Sequence, residues 1–148
     1  MLLEWLVRSL TSRGFEVGVL KHSMHNHPVD KPQSDSDRLR KAGARPAAFW
    51  SEDGLGIYFP PLSTEVGWQV LRQAFAHCDL VLVESFGSAL NPKIVIEDGT
   101  GKWETFENVI ALVAPKTVSA EVPVFGAKDT RLLDFIIRYF HLSLKAIK

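Results

Sequence analysis

The sequence predicts an α/β sandwich built on a mainly parallel sheet. Three observations predict it. Short apolar runs of strand length alternate along the chain with segments of helical periodicity. The run Asp79-Leu-Val-Leu-Val-Glu84 places four apolar residues in succession, the pattern of a strand buried on both faces by covering helices. And 148 residues, 46% of them hydrophobic, suffice for the core of one domain, 1–148.

The elements follow in order. Leu3, Leu6, Val7 and Leu10 share one face of a helix over the first ten residues, which Gly14 terminates. No Ser, Thr or Asp precedes that helix to cap it. Phe15 to Leu20 is a Val-rich strand ending in Lys21-His22. Ser23 to Gln33, with Pro28 and Pro32, is a loop. Ser34 to Ala42 is a helix with Asp35 and Asp37 in its first turn and Arg38, Arg40 and Lys41 later, the charge order that suits the helix dipole. Pro46 to Trp50 and Gly56 to Phe59 are strands. Ser63 or Thr64 caps a helix reaching about His77, with Val66, Val70 and Ala74 in line. After the LVLV strand come strands at Lys93 to Ile96, Val109 to Val113 and Val122 to Phe125. Asp129 opens a last helix carrying Leu132, Leu133, Ile136 and Phe140.

Composition removes several functions. Lys and Arg number 17 against 17 Asp and Glu, without the basic excess of a nucleic-acid binder. A single cysteine, Cys78, excludes an internal disulfide and a cysteine-only zinc site, and it suits a reducing cytoplasm. Cys78 itself reads as a partly buried small apolar side chain. No run approaches the roughly 18 apolar residues of a membrane span, and the opening residues make a poor secretory leader. Trp50 and Trp68 fit core or partner packing.

In a parallel sheet, ligands bind beyond the C-terminal strand ends. That rule selects Lys21-His22, Glu84-Ser85-Phe86 and the turn Ala114-Pro115-Lys116-Thr117. Glu84 is the sharpest of these. In nucleotide hydrolases an acid at the mouth of a buried strand orients Mg²⁺ or the attacking water, although an acid that merely ends a strand occupies the same place. Asp35 and Ser36 open a helix, where free N–H groups suit phosphate and an acid can hold hydrated Mg²⁺; ordinary capping gives the same pattern. Arg38 and Arg40 are placed for phosphate, or for solvent. His22, His25 and His27 lie close together, but no Cys or acid completes a metal set, so a loop facing substrate is the better reading. Nothing matches GxxxxGK[ST], and no glycine fingerprint follows a strand.

Three segments together resemble one family. Leu2-Leu3-Glu4 through Val19-Leu20-Lys21-His22 resembles the first helix and second strand of the molybdopterin-guanine dinucleotide biosynthesis protein B family of P-loop GTP-binding proteins. DKPQSDSDRLRKAGA, Asp30 to Ala44, is similar to its DKPGKDSxRxxxAGA stretch. DLVLVESFGSALNPKI, Asp79 to Ile94, is similar to its DLVLVEGFKxxxxPKI stretch.

The resemblance implies a P-loop NTPase-like three-layer sandwich and a weak GTPase that binds GTP with Mg²⁺. It implies assistance to the molybdenum cofactor guanylyltransferase, which attaches GMP to molybdopterin, by a cytoplasmic homodimer. Carried over by position, Asp35 and Ser36 fall near the nucleotide phosphates and metal, and Glu84 is the Walker B-like acid. Lys21, His22, Arg38 and Arg40 flank the cleft, with Lys93 farther along. Pro115-Lys116-Thr117 is the candidate base-recognition loop.

The departures are as informative. The family's first strand and GxxGxGKTT loop have no counterpart ahead of Leu2, and Met1 stands at about the last Thr. The expectation is a chain shortened at its N-terminus, with little GTP turnover, whose sheet has a gap flanked by unpaired edges. The alternative is an adaptor that has lost the nucleotide. Gln33 and Ser34 replace the family's Gly and Lys, Ser85 replaces Gly, and Gly87 replaces Lys.

Overall fold

The computed structural model describes residues 1–143 other than 24, 26, 27, 29, 86, 88, 116 and 117. Its elements are α1 (Leu2–Thr11), β1 (Val17–Lys21), α2 (Asp35–Lys41), β2 (Ala47–Ser51), β3 (Gly54–Tyr58), α3 (Thr64–Ala74), β4 (Leu80–Glu84), β5 (Lys93–Ile96), a 3-10 turn (Lys102–Thr105), β6 (Val109–Val113), β7 (Val124–Phe125) and α4 (Thr130–Tyr139). They fall into two compact units, one formed by Met1–His22 with His77–Lys148 and the other by Ser23–Ala76.

The first unit holds the core. Leu6 and Leu10, four residues apart on α1, are buried with Phe15, with Val113 of β6, and with Leu132, Leu133 and Ile136 of α4. The spacing of 3.6 residues per turn aligns these side chains on the inner face of each helix. Gly14 ends α1 at a φ of +88°, a conformation that costs glycine little. No side chain caps α1 at Met1; its exposed first turn carries the Glu4–Arg8 pair at 3.0 Å instead. Arg13 Nη1 reaches Asp134 Oδ1 at 2.7 Å and ties the end of α1 to α4. Asp129 caps α4 by accepting from the Arg131 N–H.

The sheets of this unit are parallel throughout. β1 pairs with β4, with Val17 opposite Leu80 and Lys21 opposite Glu84. β5, β6 and β7 form a second sheet in that order. Among the described residues β4 carries a ladder on one edge only, and so does β5.

The strand buried on both faces is therefore not the LVLV strand. β4 is half-buried with Val83 exposed, whereas Ala111, Leu112 and Val113 of β6 are buried in succession. The reason is position. β6 has a neighbour on each side, and β4 has one.

The second unit contains α2, a hairpin and α3. β2 and β3 pair antiparallel around the two-residue turn Glu52-Asp53. Gly54 follows at a φ of +152°, where a side chain is disfavoured. Ala47 and Tyr58 lie opposite one another on the hairpin face that α2 covers, and the Arg40 guanidinium stands 5.5 Å from the Tyr58 ring centre. Ser63 caps α3 as its sequence indicates, but the helix stops at Ala74, short of His77, and buries no residue. Its apolar stripe of Val66, Val70 and Ala74 marks a helix without marking a core contact.

Candidate functional site

The mouth of the β1–β4 pair gathers three of the sequence-selected residues. Parallel register brings the two strand ends level. Lys21 Nζ lies 3.2 Å from Glu84 Oε2, with the Glu84 side chain 28% exposed. The His22 backbone N–H donates to the Glu84 carbonyl at 3.0 Å, extending the ladder by one bond. His22 Nδ1 lies 3.2 Å from the Ser85 carbonyl oxygen. The site thus presents an accessible carboxylate, an ammonium group and an imidazole at the C-terminal end of two parallel strands. A carboxylate so placed can ligate a hydrated divalent cation or accept a hydrogen bond from a water.

Lys93 behaves differently. Its Nζ donates to the carbonyl oxygens of Ala89, Asn91 and Glu107. An ammonium group has three donors, and all three are engaged here. Lys93 therefore pins the loop before β5 to the segment before β6. Asn108 Nδ2 supports the same loop by donating to the Leu90 carbonyl.

In the second unit the segment before α2 is organised by carboxylates and hydroxyls. Ser34 is the N-cap and its Oγ accepts from the Asp37 N–H at 3.2 Å. Asp37 returns the arrangement one residue earlier, accepting the Gln33 N–H at 2.9 Å, much as a capping box does. Ser36 Oγ donates to Asp30 Oδ2 at 2.7 Å. Asp37 is buried and meets Lys41 at 2.7 Å and Arg40 at 3.1 Å. The Lys41 ammonium and the Gln33 N–H hold its carboxyl below the usual range. The Ser36 hydroxyl, followed by Ser34, does the same for Asp30.

Asp35, chosen from the sequence for its place at the helix start, is almost fully exposed and pairs loosely with Arg38 at 3.7 Å. Arg40 gives Nη2 to Asp37 and lies over the Tyr58 ring, while its buried Nε has no hydrogen-bond partner among the described residues. The acids that organise this segment are Asp30 and Asp37. The Ser-x-x-Asp spacing from Ser34 is the signal that would have found Asp37.

The comparisons with known proteins bear on both units. The sequence model described as "Molybdopterin guanine dinucleotide synthesis protein B" matches residues 1–115. The chain belongs to that family. Its MobB relatives include the molybdopterin-guanine dinucleotide biosynthesis adapter protein of Escherichia coli K12, 33% identical over 147 residues, spanning 93% of this chain and 84% of that protein. The probable adapter protein of Bacillus subtilis 168 is 29% identical, spanning 91% and 82%. The crystal structure of Bacillus subtilis MobB superposes with a TM-score of 0.74 at 26% identity, covering 99% of this chain and 90% of that one. The MobB fold, α/β with mainly parallel sheets in the P-loop NTPase manner, is thus shared.

The departures from the MobB pattern now have a structural meaning. Gln33 and Ser85, which the sequence resemblance sets at glycine positions, hold φ of +66° and +64°. The backbone conformation is the left-handed one that glycine adopts freely and L side chains resist. Gly87, which stands where the family has lysine, lies against Phe106; a Cβ there would come within 2.9 Å of the ring.

The remaining sequence candidates are quickly placed. His27, Phe86, Lys116 and Thr117 lie outside the described residues, as does most of the base-recognition candidate. Among the described residues no cluster of His, Cys, Asp and Glu suits a metal ion, and no helix is long and apolar enough to cross a membrane. Cys78 is half-buried, as its sequence position suggests.

Proposed function

We propose that this chain serves molybdopterin-guanine dinucleotide biosynthesis as a GTP-binding adapter that assists the molybdenum cofactor guanylyltransferase, as a cytoplasmic homodimer. Family membership supports the pathway, because the relatives in Escherichia coli and Bacillus subtilis carry that adapter name. The observation that carries the nucleotide reading is the Glu84 carboxylate beside Lys21 at the shared end of two parallel strands. In this reading Glu84 would help hold a nucleotide-bound Mg²⁺, which would supply charge neutralisation of the phosphates, and Lys21, now 3.2 Å from Glu84, would offer its ammonium group to a phosphate oxygen. A single protein carboxylate suits Mg²⁺, which keeps several waters and takes its other ligands from phosphate.

The test compares the chain as it stands with the chain extended by a strand and a GxxGxGKTT loop ahead of Leu2. Magnesium-dependent binding of a fluorescent GTP analogue by the extended chain, lost in Glu84→Gln, supports the reading. Binding that ignores Mg²⁺ or Glu84 refutes it.

A second reading, an adaptor without nucleotide, is favoured by a specific observation. Lys93 and Asp37 spend their polar groups inside the chain rather than toward a ligand. Retention of the guanylyltransferase in a pull-down without GTP, by a chain that binds no nucleotide, would select it.

A further inference from the structure

The turn that follows Glu84 is the strained point of the strand mouth. Glu84 is the last residue of β4, and Ser85, the next one, holds a left-handed φ of +64°. An L side chain resists that conformation, which persists where neighbouring contacts over-determine it. Here both contacts come from one residue. His22 is the first residue past the end of β1, and register sets its neighbour Lys21 opposite Glu84. The His22 backbone N–H donates to the Glu84 carbonyl at 3.0 Å, and its ring Nδ1 lies 3.2 Å from the Ser85 carbonyl oxygen. Two successive carbonyls at the exit of β4 are thus tied to a single residue at the exit of β1.

Chemistry assigns the ring proton. A carbonyl oxygen only accepts, so the Nδ1 that faces it donates. The tie also bears on the acid. Up to Glu84 the backbone is fixed by the parallel ladder with β1. Beyond its Cα the next two peptide planes are fixed by His22, and with them the direction in which the Glu84 side chain leaves the strand. Lys21 is a weaker guide for that carboxylate: its side chain is 72% exposed, and an exposed ammonium on a flexible stem holds a partner loosely.

We propose that His22 is a positioning residue: its imidazole, donating from Nδ1 to the Ser85 carbonyl, holds the turn after Glu84 and so aims the Glu84 carboxylate at the cation of a bound nucleotide. The inference rests on the nucleotide reading above and adds the residue that orients its acid. His22 acts through the chain, with no contact to the nucleotide required of it.

Substitutions at position 22 separate a hydrogen-bond donor from a space filler. His22→Asn puts an amide N–H where Nδ1 stands, since both nitrogens are bonded to Cγ. His22→Leu and His22→Ala remove the donor, and having two such variants covers a failure of either to fold, which the unfolding midpoint reveals. In the chain extended by a strand and a GxxGxGKTT loop, the donor-free variants are expected to weaken magnesium-dependent binding of a fluorescent GTP analogue by about 10–100-fold, the usual loss when a group that orients a metal ligand is removed, with His22→Asn within about threefold of the wild type. On the chain as it stands, nitrogen-15 spectra of the histidine rings, with the His22 signals assigned by their loss in His22→Asn, are expected to show a proton on Nδ1. A His22 ring protonated at Nε2 alone overturns the inference. Equal losses of affinity in His22→Asn and the donor-free variants, or no loss in any of them, also overturn it. An extended wild type without magnesium-dependent binding overturns the nucleotide reading and the inference together. Failure of the reading is therefore seen in the wild type, and failure of the inference alone in the His22 ring or its variants.

Discussion

Replacing Lys93 by methionine separates a structural lysine from a ligand-binding one. The substitution keeps the aliphatic stem and removes the ammonium group. It orphans the carbonyl oxygens of Ala89, Asn91 and Glu107, which together accept its three hydrogen bonds. A hydrogen bond to a charged group contributes about 1.5–3 kcal/mol when shielded from water. Only the Ala89 bond is partly shielded; Asn91 and Glu107 are exposed, so water takes over much of what they lose. The sum is about 2 kcal/mol, most of it from the Ala89 bond. For a chain of this length that lowers Tm by about 4–8 °C. Denaturant titration followed by tryptophan fluorescence is the assay, run beside GTP-analogue binding on the extended chain. Lys93→Met is expected to lower the midpoint with the slope unchanged, and to leave nucleotide affinity within about twofold. An unmoved midpoint together with a tenfold loss of affinity would refute the reasoning and return Lys93 to the nucleotide site.

Other outcomes follow from the same geometry. Ser85→Gly and Gln33→Gly each relieve a left-handed φ and are expected to stabilise by about 0.5–1 kcal/mol after the added freedom of the unfolded chain is subtracted; denaturation midpoints of the single and double variants check this, with the two effects adding. Asp37 has its folded pKa depressed below the ordinary 3.8, so it contributes stability at pH above that value and loses it as pH falls through the lower folded value. Asp37→Asn is therefore expected to be less stable at pH 7 and to have a flatter stability profile below pH 4, read by pH-dependent unfolding. Gly87→Ala must displace the Phe106 ring, which a Cβ meets at 2.9 Å; a changed chemical shift of the Phe106 ring protons is the readout. Leu132→Ala, at a side chain with no exposure, is expected to cost about 3–5 kcal/mol in unfolding free energy.

The sequence by itself determined the order and type of the α-helices and strands, though not the 3-10 turn at Lys102–Thr105. α1, α2, α4, β5 and β6 lie where their periodicity and caps put them, because these signals are local: one apolar stripe, one Ser cap, one run of β-branched residues. It also determined the family, through segments of specific spacing such as Asp30 to Ala44 and Asp79 to Ile94. It placed Glu84 at a strand end, and the strand end is where it stands.

Tertiary structure decided which residues those positions serve. Burial of β6 rather than β4 depends on how many neighbours a strand acquires, a property no local pattern encodes. The meeting of Lys21 with Glu84 depends on the register of two strands separated by sixty residues of chain, roughly, and only pairing fixes it. That Asp37 rather than Asp35 is the buried, hydrogen-bonded acid turns on which way each side chain leaves a helix of seven residues, toward solvent or toward the Gln33 N–H and Lys41. The strain at Gln33 and Ser85 is invisible in composition, because a left-handed φ is imposed by the chain on both sides of it. And the exposure of Trp50, which its sequence fits to core or partner packing alike, is a tertiary fact, since alternation marks an apolar side without naming what lies against it.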